Sequence, residues 1–352
     1  MEKVGIVTLQ GLYNYGNRLQ NYAVQQIIRK YGYTAESIIF KGNLKEEKVK
    51  IFAFLAESRL TNPFRYFLRF FNFWKFNRKN IVLAKIKCGE NAMKKVNREY
   101  KYLALGGDQI WNQKYSIFGE LDEKGFQFGS AVEPEFRIPF APSFGESSIP
   151  KGKCEYCKKW LNEIKYLSIR EQSGADIIKE LTGRDSTIVI DPVMALSAEE
   201  WKSLFNSNKK YKNPYVLTCF LGGSTDERNK QIERISKNLE IKSVGRYEDK
   251  DSWAGPDEFL SLVYHADIIC TDSFHCLAFA ILFNKPFVVF DRLNCDISQM
   301  TRLENVMDLF GFKDRHIDRI DMNKIEAIDY SMVEKTLQQQ RKIFYSFIEQ
   351  WL

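Results

Sequence analysis

Histidine is the scarcest reactive side chain in this sequence, with His265, His275 and His316 the only three in 352 residues. A catalytic or ligand-binding imidazole therefore has few candidates. No run of 18 uncharged apolar residues occurs, which argues against a membrane-spanning helix. The opening MEKVGIVTLQ lacks the long apolar core of a signal peptide and reads as a first strand, so a cytoplasmic protein is expected. Cysteines number seven, with one C-x-x-C at Cys154 and Cys157. No second pair or nearby histidine completes a zinc set, so reduced thiols and no metal are expected. The dinucleotide fingerprint G-x-G-x-x-G is missing too. Gly11 and Gly16 stand five apart with Tyr13 and Tyr15 between them, which argues against NAD. Internal repeats and low-complexity linkers are absent.

What is present is the composition of a globular protein, 44% hydrophobic and 28% charged, long enough for two domains. The net charge of +7 is spread along the chain, so nucleic acid is not an expected partner, whereas anionic substrates or an anionic membrane surface suit it. The stretch from His265 to Asn294 reads as strand, helix, strand. Asp267 to Thr271 is a buried strand, Phe274 to about Asn284 an apolar helix, and Phe287 to Phe290 a second strand. Thr271, Asp272 and Ser273 are all good N-cap types, which puts His275 in the first turn, where free N–H groups and the helix dipole favour an anion.

Earlier in the chain, strand Val4 to Leu9, a loop and a helix from about Leu19 to Tyr31 make a first βα turn. Its loop offers Asn14, Asn17, Arg18 and Gln20. Residues 57–80 hold eight aromatic and six basic residues, and Phe67, Phe70, Phe71 and Trp74 follow helical spacing. Such a helix suits an anionic membrane, a self-association face or the core. Strand Tyr102 to Leu105 runs into GGDQIWN, where Asp108, Gln109, Trp111 and Asn112 form a candidate sugar-holding group, apolar sugar face on the indole and hydroxyls to the amides. Strand Tyr166 to Ile169 delivers Arg170 and Glu171, as an anion-binding fork or as an ion pair. Ser197 with Glu200 reads as a capping box opening a second domain.

Taken in order, GLYNYGNRLQNYAVQ, LGGDQIWN, APSFG, LSIREQSGADIIKELTG, VIDPVMALSAEEW, TDSFHCLAFAILFNKPFVVFDR and TRLENVMDLFGF resemble the polysaccharide pyruvyl transferase family over most of residues 3–312. The resemblance implies an α/β protein of two Rossmann-like domains facing across a cleft, as in GT-B glycosyltransferases. The expected division is residues 1–195 on the acceptor side with an aromatic and basic helical insert at 45–87, 196–325 on the donor side, and 326–352 a helix packing back on the first domain. It implies transfer of a pyruvyl group from phosphoenolpyruvate to two sugar hydroxyls, giving a ketal in a surface polysaccharide or its lipid-linked precursor. No further cofactor is implied. Donor-binding positions by that resemblance are Arg170, His275 and Arg292, joined by Ser273, with Lys285 as competitor to Arg292. His275 and Asp108 are the catalytic candidates, and Asn14, Asn17, Gln109 and Trp111 the acceptor-binding ones. Relatives commonly carry glycine after the histidine, where this chain has Cys276.

Two other readings stay open at this point. One is a glycosyltransferase using a nucleotide sugar, with Glu258 or the 222–226 loop at the ribose and diphosphate. The other is a non-catalytic carbohydrate-binding relative. Peripheral contact with the inner face of the membrane through 57–80 and a homo-oligomer are further expectations. Arg170→Ala and Arg292→Ala are expected to abolish donor binding while changing stability by no more than about 1 kcal/mol.

Overall fold

The computed structural model describes residues 2–9, 11, 14–41, 63–114, 116–293, 298–326 and 328–352. Residues 45–62 of the expected insert lie outside them. The described residues form two compact units. The first gathers residues up to 41, 77–195 and 340–352, and the second 63–76 and 196–339.

In the first unit, strands β1 (Lys3–Val7), β2 (Thr34–Lys41), β3 (Leu83–Lys87), β4 (Tyr102–Gly106) and β5 (Arg137–Phe140) form a wholly parallel sheet in the order β3-β2-β1-β4-β5. The helices of this stretch are α1 (Tyr15–Lys30), α2 (Pro63–Asn80), α3 (Ala92–Glu99) and α4 (Glu120–Glu123). Beyond β5 come α5 (Cys154–Glu163), β6 (Ser168–Ile169), α6 (Gln172–Thr182), β7 (Thr187–Ile188) and α7 (Pro192–Ala195), with β6 and β7 paired in parallel. β6 was expected to start two residues earlier, at Tyr166. Val189 still bonds to the Ile169 carbonyl at 2.9 Å, but the ladder stops where Asp191 turns into α7.

Parallel strands are covered on both faces, so they read as continuous apolar runs, and β1 and β4 are buried almost throughout. Gly5 is required inside β1: a Cβ there would stand 2.8–2.9 Å from Ile38, Leu103 and Tyr100. The helix expected from Leu19 starts four residues earlier, because Asn14 caps it by accepting from the Asn17 N–H at 3.0 Å.

In the second unit, α8 (Ala198–Lys202) opens on Ser197 with the full capping box to Glu200. Strands β8 (Tyr215–Cys219), β9 (Glu240–Val244), β10 (Ile268–Thr271) and β11 (Phe287–Val289) form a second parallel sheet, ordered β11-β10-β8-β9. Helices α9 (Asp226–Ser236), α10 (Pro256–His265) and α11 (Phe274–Leu282) connect them, and α12 (Ser298–Phe310) and α13 (Val333–Ile348) follow. α9 stops at Ser236 because Lys237 and Asn238 take left-handed φ of 46° and 75°. The end of the last helix, from residue 340, packs within the first unit. Phe344, fully buried, packs on Phe140, Arg341 Nε donates to the Met194 carbonyl at 3.0 Å and the Tyr345 hydroxyl to that of Ala195 at 3.1 Å.

The aromatic segment was expected to be an insert of the first domain. Residues 63–76 of α2 group instead with the second unit, and particular contacts account for it. Arg69 donates to the Ser252 carbonyl at 2.9 Å, Asn72 to that of Trp253 at 2.9 Å, and the Tyr66 ring stacks on Tyr247.

Candidate functional site

In a doubly wound sheet, ligands meet the carboxyl ends of strands where the strand order reverses. In the first unit that point lies between β1 and β4, and in the second between β8 and β10. A buried polar cluster occupies each.

At the first switch point, Gly106 and Gly107 leave room for Gln20 to cross, since a Cβ on Gly107 would lie 2.5 Å from its amide nitrogen. Gln20 Oε1 accepts from the Thr8 hydroxyl at 3.0 Å. Asp108 follows in a left-handed conformation, φ 53°. Its carboxylate accepts from Asn17 Nδ2 and, at 2.9 Å, from the Gln109 N–H. Arg170 comes from the end of β6. Its Nη1 lies 2.6 Å from Asp191, its Nε 3.5 Å from Glu171, and its Nη2 3.9 Å from Asp108. Burial opposes the guanidinium charge, but Asp191, Glu171 and Asp108 outweigh it and hold the Arg170 pKa above its ordinary value. Ser143 donates to the second oxygen of Glu171 at 2.7 Å, and Asp191 accepts from the Val193 N–H at 3.0 Å.

These contacts correct two expectations. Arg170 is the hub of an ion-pair network in which Asp191 is fully buried, so Arg170→Ala strands buried carboxylates and costs about 3–5 kcal/mol in place of the small change expected. Trp111 is not a sugar platform. It is 0% exposed, packed on Phe128 and Phe144 with its indole N–H donated to the Gln127 carbonyl at 3.0 Å. Gln109 stays half-buried, its Oε1 accepting from Asn112 at 3.0 Å, and the Asn14 side chain serves as helix cap. Asn17 is brought together with Asp108, whereas Trp111 belongs to the core beneath them.

At the second switch point the organising residue is Asp272, 0% exposed. Its oxygens accept from the Leu221 N–H at 2.7 Å and the Gly222 N–H at 3.1 Å, fixing the loop after β8. Arg292 Nη2 donates to the Asp272 carbonyl at 2.9 Å, and Arg228 Nη1 stands 3.7 Å from the Asp272 carboxylate. Burial raises the Asp272 pKa, with these N–H groups and the two arginines pulling the other way. Ser273 is the N-cap of α11, and its N–H goes to the Thr271 hydroxyl at 2.9 Å. His275 sits in the first turn, 9% exposed, its ring edge-on to Phe274. Ser273, His275 and Arg292 are thus gathered at one end of β10 and β11.

Lys285 is not among them. It precedes β11, at the amino ends of the strands, near Asp267, and burial lowers its pKa. Glu258, considered for a ribose, is engaged by Lys209 and, at 3.3 Å, by the Tyr211 hydroxyl. Cys276 points into the sheet. It is fully buried, and the hydrogen bond between its thiol and that of Cys219 is the first cause, ahead of burial, of the raised Cys219 pKa. The other two histidines have their own partners. His265 lies 2.8 Å from the Ser261 carbonyl and 3.0 Å from that of Ser207, and His316 lies between Asp291 and Asp318 at 3.4 and 3.5 Å.

Asp191 and Arg228 were not singled out from sequence, Asp272 was read only as a cap residue, and Glu171 only as an ion-pair partner of Arg170. Asp191 carried a readable signal, an aspartate before a proline that starts a helix, which is a capping arrangement whose second oxygen stays available.

The chain matches the family described as Polysaccharide pyruvyl transferase over residues 14–294. It belongs to that family. No curated protein matches it. Among solved structures it is similar to a glycosyltransferase from Rickettsia africae, at 10% identity, TM-score 0.51, covering 99% of this chain and 94% of the other. It is also similar to Arabidopsis thaliana UGT89C1 complexed with UDP-L-rhamnose, at 9% identity and TM-score 0.49, covering 100% and 99%. Anabaena HepE, in complex with UDP and glucose, matches at 12% identity and TM-score 0.46, covering 98% and 100%. The fold of this pyruvyl transferase family member is GT-B-like, two Rossmann-like α/β units with parallel sheets. No helix among its described residues is long and apolar enough to cross a membrane.

Proposed function

We propose that the protein transfers a pyruvyl group from phosphoenolpyruvate to two hydroxyls of a sugar in a surface polysaccharide or its lipid-linked precursor. The observation that carries the reading is the second-unit cluster. An imidazole, a serine and an arginine converge on a helix N-terminus at a switch point, and these groups complement a donor bearing phosphate and carboxylate. In the reaction a proton adds to the methylene carbon of the enol and a sugar oxygen bonds to the adjacent carbon. The carbon–oxygen bond to phosphate then breaks, and the second hydroxyl closes the ketal. One hydroxyl proton is balanced by the new methyl group and the other by the departing phosphate. His275, Ser273 and Arg292 hold the donor, and His275 gives phosphate a proton. Asp108, backed by Asn17, is the base for an acceptor hydroxyl. The protein's own cations serve the donor, with no metal and no further cofactor.

A second reading has its own observation. A cavity of about 380 Å³ in the second unit is lined by Phe220, Gly223, Ser224, Arg246 and Asp249, among others, where a nucleotide sugar would find an aromatic ring, loop amides and a cation. Calorimetry with phosphoenolpyruvate against a panel of nucleotide sugars separates the two. Phosphoenolpyruvate binding that Arg292→Ala abolishes while the protein stays folded supports the first. Arg170→Ala, by contrast, lowers the thermal midpoint strongly. Binding of a nucleotide sugar with none of phosphoenolpyruvate overturns the first reading.

A further inference from the structure

Helix α2 is amphipathic in an unusual sense, aromatic on both faces. Its inward face is clamped to the second unit. Tyr66, Arg69, Phe73 and Phe76 are 1–4% exposed, and the Arg69 guanidinium lies 5.1 Å from the ring centres of both Phe73 and Tyr247. Gly255, the N-cap of α10, lets its backbone close on α2, since a Cβ there would meet Asn72 at 3.0 Å. The outward face is the opposite case. Phe64 is 68% exposed, Phe67 61%, Phe71 45% and Trp74 46%, and Phe67, Phe71 and Trp74 stack in a row at 6.4 and 5.9 Å. Spacings of three and four residues put them on one stripe.

Charge decides what that stripe meets. The helix carries five basic residues, Arg65, Arg69, Lys75, Arg78 and Lys79, and no acidic one. Arg69 is turned inward, and a second copy docking face to face, the usual two-fold contact, would set the other four cations against their own counterparts. An anionic bilayer matches both properties, taking aromatic rings at headgroup depth and basic side chains at phosphate level.

We propose that the outward face of α2 docks the protein on an anionic membrane surface, with Phe64, Phe67, Phe71 and Trp74 entering the headgroup region and Lys75 and Lys79 against its phosphates. The helix is held to its unit by the other face, so docking needs no unfolding. This stands apart from the donor chemistry, because it is measured with no sugar and no phosphoenolpyruvate present.

The test is co-sedimentation of the full chain with phosphatidylcholine vesicles, with and without phosphatidylglycerol. Binding is expected to the mixed vesicles and to weaken as salt rises. The triple variant Phe67→Ser, Phe71→Ser, Trp74→Ser is expected to lower the partition coefficient by at least about tenfold, at an unchanged thermal midpoint. Lys75→Ala with Lys79→Ala is expected to flatten the salt dependence. The proposal is overturned by absence of binding to either vesicle, by binding that is equal for both, or by binding that survives the triple variant. A triple variant that turns a dimer into a monomer without any vesicle binding overturns it in favour of a second copy.

Discussion

Arg18 is a costly side chain in the first unit, a buried guanidinium whose charge burial opposes. It is 1% exposed, in the first turn of α1, and donates to the Leu9 carbonyl at 3.0 Å, with no carboxylate among its described partners. Burial lowers its pKa from the ordinary guanidinium range to about 10, a displacement on the order of 3 kcal/mol. The folded guanidinium is charged below about pH 10, and the unfolded one stays charged to higher pH. The cost is therefore complete at every lower pH and shrinks as pH rises from the folded pKa towards the unfolded one. Arg18→Met is expected to stabilise the protein by about 1–3 kcal/mol, evenly from pH 6 to 9 and less above pH 10, read by thermal denaturation across that range. An arginine kept at such a cost marks α1's first turn for mutational study of acceptor binding.

Among the elements, α11 carries a departure from the family pattern, Cys276 after the histidine, and the structure gives it a packing role. Its thiol fills space beside Cys219 at the carboxyl end of β8. Cys276→Gly is expected to cost about 1–3 kcal/mol, from the lost packing and the added backbone freedom. It should leave the affinity for phosphoenolpyruvate within about threefold, as denaturant unfolding and donor kinetics would show. The β10-α11-β11 unit was legible in sequence because its signals are local: a short apolar run, three cap residues and an apolar helix within 25 positions. Arg170 was legible as a site residue, but its binding mode was not, because Asp191 comes 21 residues later and Asp108 from another strand. Trp111 was misread for a related reason. Whether an indole faces solvent depends on Phe128 and Phe144, which no spacing rule brings to it.

At the level of the whole molecule, both units take parts from distant stretches of chain, and each depends on a helix the main run does not supply. The first needs residues 340–352, whose Phe344, Phe347 and Ile348 are 0–4% exposed. Removing 340–352 uncovers apolar surface on Phe140 and is expected to give a chain that binds hydrophobic dye and precipitates on mild heating, checked by light scattering. The second needs α2, and the distance is greater. Arg69 waits for Ser252, 183 residues further on. At ribosomal rates of roughly 5–20 residues per second that wait lasts roughly 9–37 s. Through that interval the inward rings of α2 have no surface to cover them, so the nascent chain carries two aromatic faces where the finished protein shows one. Chains cut short before Ser252 are therefore expected to leave the inward rings of α2 uncovered and to precipitate, as light scattering of truncated chains would show.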